Sequence, residues 1–106
     1  MTASPLPLTP GQVAGLAETL PLWRVTDDGK AIRRELRFRD FRQAFDFMSA
    51  IAAAADEQDH HPDWSNSYNR VAIRLTTHDA GGISARDIRL AEAIDAAAAS
   101  FGAKPA

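Results

Sequence analysis

Three histidines, His60, His61 and His78, all fall within the segment Asp56–Asp87. Histidine is the side chain that ordinarily titrates between pH 5 and 8, so such a group can present a base and an acid to one bound molecule. His60 and His61 are adjacent and run straight into Pro62. Asp56 and Asp59 stand just before them, where a carboxylate can orient a ring nitrogen. Arg86 and Asp87 follow the Gly81–Gly82 loop and open the last helical segment, whose N-terminus offers backbone N–H donors. Asp87 has a second explanation, because Ser84 and Asp87 have the spacing of a capping box. Trp64 and Tyr68 can fill a core or stack on a flat ligand.

These residues alone leave three readings open: an acid–base group, a zinc or iron site of three histidines and an aspartate, and ordinary surface histidines. Adjacent histidines seldom share one metal, and the spacing is not the i, i+4 pair of a helical zinc site, so no metal is expected. The chain has no cysteine, which excludes disulfides and thiolate catalysis. Twelve basic residues against fourteen acidic ones, a formal charge of −2, argue against a nucleic-acid partner held through phosphates. The basic run RRELRFRDFR, Arg33–Arg42, reads as a solvated strand face. No apolar run approaches the roughly 20 residues of a membrane span and no signal peptide is visible, so a cytoplasmic protein with no membrane partner is expected.

The elements that position these residues follow from pattern. Residues 1–8 read as a loose tail. Thr9 can cap a helix with Pro10 at its first position and Gln12 three after the cap, its inner face being Val13, Leu16, Ala17 and Leu20. Trp23 and Val25, the Asp28–Gly29 turn, then Ile32, Leu36 and Phe38 read as a hairpin, which Arg34 interrupts on its apolar face. Asp40 and Gln43 start the next helix, with Phe41, Phe45, Met48, Ile51, Ala52 and Ala55 as its core stripe. It ends near Asp59. A short strand at Asn66–Tyr68 precedes a longer one carrying Val71, Ile73 and Leu75 and ending at His78. The last helix buries Ile88, Ala91, Ile94, Ala98 and Phe101 and stops at Gly102. The expectation is an α+β fold of order α-β-β-α-β-β-α. A four-stranded antiparallel sheet carries three helices on one face, in a single domain over residues 9–101 with a tail at 102–106.

The segment DEQDHHPDWSNSYNRVAIRLTTHDAGGISARD resembles the signature of the pterin-4a-carbinolamine dehydratases. Asp56, His60-His61-Pro62, Tyr68, His78 and Asp87 match it, with five, nine and eight residues in the last three gaps. Residues 8–98 are covered, and LWRVTDDGKAIRRELRFRDFRQAFDFM is similar to the family's hairpin and second helix. Many members have Glu where this chain has Asp56. The resemblance implies dehydration of a 4a-hydroxytetrahydropterin to quinonoid dihydropterin and water, in the recycling of pterin for aromatic amino-acid hydroxylases, without a cofactor. It implies His60 and His78 as the proton-transferring pair and His61 as a ligand-holding residue. Asp56, Asp59, Trp64, Arg86 and Asp87 are implied at or behind the ligand. A homodimer or homotetramer is implied as well. The alternative is a pterin-binding or protein-interaction module with little activity, like the members that serve as dimerisation cofactors or act in molybdopterin metabolism.

Overall fold

The computed structural model describes residues 5–106. Helix α1 spans Pro10–Thr19, β1 Arg24–Val25, β2 Ile32–Arg37, α2 Phe41–Gln58, β3 Asp63–Ser67, β4 Arg70–Leu75, α3 Ala85–Ser100 and β5 Lys104–Pro105. A 3₁₀ turn at His78–Ala80 joins β4 to α3. The strands form one antiparallel sheet in the order β1-β2-β4-β3, and β5 shares the outer edge of β2 with β1. The α+β class, the element order and the helical layer are as expected. The strand count is five, because Lys104 and Pro105 of the C-terminal segment pair with Arg37 and Leu36. Of the N-terminal segment 1–8, positions 1–4 lie outside the described residues. Pro7 bridges Ser84, and the Leu8 N–H donates to Ile83 at 2.8 Å.

Capping signals place the helices as read. Thr9 and Gln12 form a complete capping box on α1, and Ser84 and Asp87 form another on α3. Asp40 caps α2 by accepting the Gln43 N–H at 2.9 Å, but the Gln43 side chain turns to the Arg39 N–H instead of the Asp40 backbone.

Central strands β2 and β4 pair Ile32 with Leu75 and Leu36 with Val71, so their buried side chains form one apolar face. Arg34 belongs to that face opposite Ile73, yet the register holds. The Arg34 guanidinium meets Asp95 of α3 at 2.6 Å, and the Trp23 indole N–H donates to the same carboxylate oxygen at 2.8 Å. A buried cation is tolerated where a carboxylate pairs with it.

The stripe expected on α2 is corrected. Its buried line is Ala44, Phe47, Ile51 and Ala55, with Met48 partly buried, while Ala52 is exposed and Phe41 and Phe45 remain 41% and 47% exposed. Both faces of α2 carry apolar residues, so periodicity alone does not choose between them. The neighbours decide: Phe47 packs on Phe38 and Phe101, and small Ala44 and Ala55 leave room for close packing. Ala17 of α1 and Val25 of β1 are likewise exposed, and Leu90 joins the buried side of α3.

Candidate active site

Two backbone turns place the histidines. Asp59 ends α2 in the left-handed conformation, φ 50°, and the His60 N–H returns to the Ala55 carbonyl at 3.0 Å. The chain then leaves extended into β3, so consecutive side chains diverge. His60 is buried and His61 is exposed. At the other turn the strand ends at Leu75, three residues earlier than expected. Thr77 pairs with Gly82 as an isolated bridge, and His78 stands exposed at the head of the 3₁₀ turn. Gly81, at φ 71°, closes that turn by donating to the His78 carbonyl at 3.0 Å.

His61 and His78 line one groove of about 530 Å³, together with Lys30, Asp63, Arg74 and Thr76, with Gly81 and Gly82 also in its wall. That volume is in the range of small-molecule sites. Asp28 adjoins it. A hydrogen bond from the Thr26 hydroxyl, then one from the Lys30 N–H, holds the Asp28 carboxyl below its ordinary pKa. Asp56 reaches His61 despite its short side chain: Oδ1 lies 2.9 Å from Nε2, with both groups solvated.

His60 is buried and does not line this groove. Its Nε2 is 2.6 Å from Oδ1 of Asp87, whose side chain is fully buried. The other carboxylate oxygen, Oδ2, accepts the Thr77 hydroxyl at 2.8 Å and the Ser84 N–H at 2.9 Å. Asp87 therefore serves the helix cap and the histidine at once, and the cap does not use it up. Nothing in the local pattern gives this away, since His60 and Asp87 are 27 positions apart. Thr77 has no signal in the sequence beyond polarity next to His78, and Ser84, legible there as a helix cap, is not legible as a partner of this network.

The remaining expected ligand contacts are dispersed. Trp64 is half-buried against the core and lines an adjoining hollow of about 570 Å³ with Asp63 and Arg74. Arg86 is half-buried in the first turn of α3, and Asp59 is exposed at the C-terminal cap of α2. Tyr68 occupies the β3–β4 turn with φ 50°. That turn is at the far end of the hairpin from His61, roughly 23 Å away at strand rise. Among the described residues no group of three or more His, Cys, Asp or Glu side chains is arranged to hold a metal ion.

The α+β fold brings two histidines into one groove and sets the third on a buried carboxylate, groups of a kind that can exchange protons with a bound ligand. The comparisons give it a family. The family model described as Pterin 4 alpha carbinolamine dehydratase matches residues 6–97, and the chain belongs to that family. A relative from Afipia carboxidovorans, named "Putative pterin-4-alpha-carbinolamine dehydratase", is 53% identical over 84% of this chain and 88% of its own. One of the same name from Rhizorhabdus wittichii is 52% identical over 87% and 95%. A crystal structure from Brucella melitensis, described as a transcriptional coactivator/pterin dehydratase, superposes with a TM-score of 0.84 at 39% identity. It covers 87% of this chain and 98% of that one. A pterin dehydratase-like protein described as a RuBisCO assembly factor in the alpha-carboxysome shares the fold, with a TM-score of 0.63 at 23% identity.

Proposed function

We propose that this protein dehydrates 4a-hydroxytetrahydropterins, with His60 and His78 moving the protons and His61 holding the ring. An acid protonates the C4a hydroxyl, the C4a–O bond breaks and water leaves. A base removes the N5 proton, which gives quinonoid dihydropterin. The proton taken from N5 restores the one delivered to oxygen, so the reaction needs no redox partner. General acid–base help of this kind contributes roughly 10²–10⁴-fold.

The observation that carries the reading is the grouping of the three histidines within a chain that matches the family from residue 6 to residue 97. His61 and His78 share one groove, and His60 is linked through Asp87 to Thr77, the residue before His78. Around that groove, Asp63 can accept from the amino edge of a pterin and Lys30 and Arg74 can donate to its carbonyl. Asp56 orients His61, and Trp64 lines the adjoining hollow with Asp63 and Arg74. The test is ultraviolet monitoring of 4a-carbinolamine decay at several protein concentrations. A rate proportional to enzyme supports the reading. Decay unchanged at high concentration, with pterin still bound, would favour a binding module.

The protein works in this reading as a homo-oligomer in the cytoplasm. Phe41 and Phe45 support the first part: they are exposed and adjacent on α2, ring centroids 5.7 Å apart, and offer a face to a second copy. Among the described residues no helix is long and apolar enough to cross a membrane.

A further inference from the structure

We propose that Thr77 is a positioning residue that selects which nitrogen of His60 exchanges protons and ties that choice to the loop presenting His78. The inference rests on the reading that these two histidines are the proton-transferring pair.

A hydroxyl has a single proton to donate, and an ionised carboxylate only accepts. Thr77 lies 2.8 Å from Oδ2 of Asp87 and 2.6 Å from the Ser84 hydroxyl. Its proton goes to the carboxylate, so the shorter contact must be donated by Ser84. Ser84 in turn accepts the Arg86 N–H at 3.2 Å. With the Ser84 N–H also on Oδ2, that oxygen accepts two donors, the Thr77 hydroxyl and the Ser84 amide. Oδ2 is filled, and Oδ1 faces His60 alone at 2.6 Å. Nε2 must therefore carry a hydrogen, and Nδ1 is left as the exchanging atom. Nδ1 has no hydrogen-bond partner among the described residues. The His60 side chain is 10% exposed, and Nδ1 is not among the sealed, partnerless side-chain atoms of the described residues.

The backbone of Thr77 does the second task. Its N–H donates to Gly82 at 2.9 Å, and its carbonyl accepts from Ala80 at 3.0 Å and from Gly82 at 3.3 Å. These bonds close the loop whose first residue is His78. Thr77 is itself buried, so side chain and backbone are held as one unit. Removing the hydroxyl frees Ser84 to donate elsewhere and leaves Oδ2 one donor short. The carboxylate can then rotate, and the hold on the His60 tautomer loosens.

Nitrogen-15 NMR of the histidine rings reads the tautomer without reference to activity. In the wild-type protein neutral His60 is expected as the Nε2–H form. Thr77→Val is expected to mix the two forms and lower kcat roughly 10- to 100-fold with KM little changed, as misplacement of a reacting group does. Thr77→Ser is expected to restore both. Thr77→Ala serves the same test if the valine variant does not fold. Ser84→Ala separates positioning from stability. It removes a helix cap and lowers Tm, yet Thr77 still donates to Asp87 and the Nε2–H form persists. An Nδ1–H form in the wild type overturns the inference, as does an unchanged tautomer in a folded Thr77→Val or Thr77→Ala variant. If the tautomers behave as stated but carbinolamine decay is not accelerated, the positioning stands and the dehydratase reading fails.

Discussion

Replacing Asp87 with Asn tests the buried carboxylate most directly. The side chain is fully buried and accepts three hydrogen bonds, two on Oδ2 and one on Oδ1. An amide offers one accepting oxygen. Turned towards Thr77 and Ser84, that oxygen keeps two of the three bonds, and the NH₂ group faces Nε2 of His60. The ring must then move its proton to Nδ1, which closes the exchanging face. Turned the other way, an N–H meets the Ser84 N–H head-on, so the first orientation is preferred. Bonds to a charged acceptor contribute about 1.5–3 kcal/mol each and neutral ones about 0.5–1.5. Part of that loss is offset because no charge is buried any longer. The net cost is about 1–3 kcal/mol, a fall in Tm of roughly 5–20 °C for a domain of this size. The rate loss should be larger than the stability loss suggests, on the order of 10²–10⁴-fold, because a proton-transfer atom is removed. It should appear in kcat, since the carboxylate is sealed from the groove. Thermal unfolding and carbinolamine decay at saturating substrate give the two numbers. A variant with wild-type Tm and rate would refute the reasoning, and so would a loss confined to KM.

Four further outcomes are expected. His78→Ala should abolish most of the dehydration while shifting stability by no more than about 0.5 kcal/mol, because His78 is exposed; a folded variant with full activity would remove His78 from the site. Asp95→Ala strands Arg34, whose side chain is 9% exposed, and the Trp23 indole. Removing one partner of a buried pair costs about 3–5 kcal/mol, reduced here to roughly 2–3 because Asp95 is partly solvated, and the double change Arg34→Met with Asp95→Leu should recover most of it by urea titration. Asp40, the α2 cap, has its pKa lowered chiefly by the Gln43 N–H. A depressed carboxylate contributes stability above its unfolded pKa and loses it as pH falls through the folded value. The Tm advantage over Asp40→Asn should therefore be constant near neutrality and vanish only in acid, below the ordinary aspartate range; an advantage lost near pH 6 would contradict this. Charging the α2 face with Phe41→Glu and Phe45→Glu should lower the mass measured by light scattering if that face joins copies, and an unchanged oligomer would exclude it.

Much of the fold was legible because its signals are local. A capping box acts over three residues, as at Thr9–Gln12 and Ser84–Asp87, and the Asp28–Gly29 turn and the β4 alternation are equally short-ranged. The β5 strand was not legible, since a two-residue strand ending in proline carries no period. The choice of face on α2 was not legible either, because Phe41 and Phe45 are as apolar as Phe47. Arg34 looked like a break in the pattern, and its partner Asp95 is 61 positions away.

For the site, residue types and spacing establish the chemistry on offer: three titratable rings, a carboxylate able to reach one of them, and the order of residues that marks the family. Side-chain type and short spacing are enough for that. Tertiary structure decided how the rings differ. It sealed His60 against Asp87, left His61 and His78 in the groove, and converted a helix-capping aspartate into a buried acceptor with one oxygen to spare. That difference depends on burial and on the direction of hydrogen bonds between α2, the end of β4 and the start of α3. Only the packed chain brings those three together.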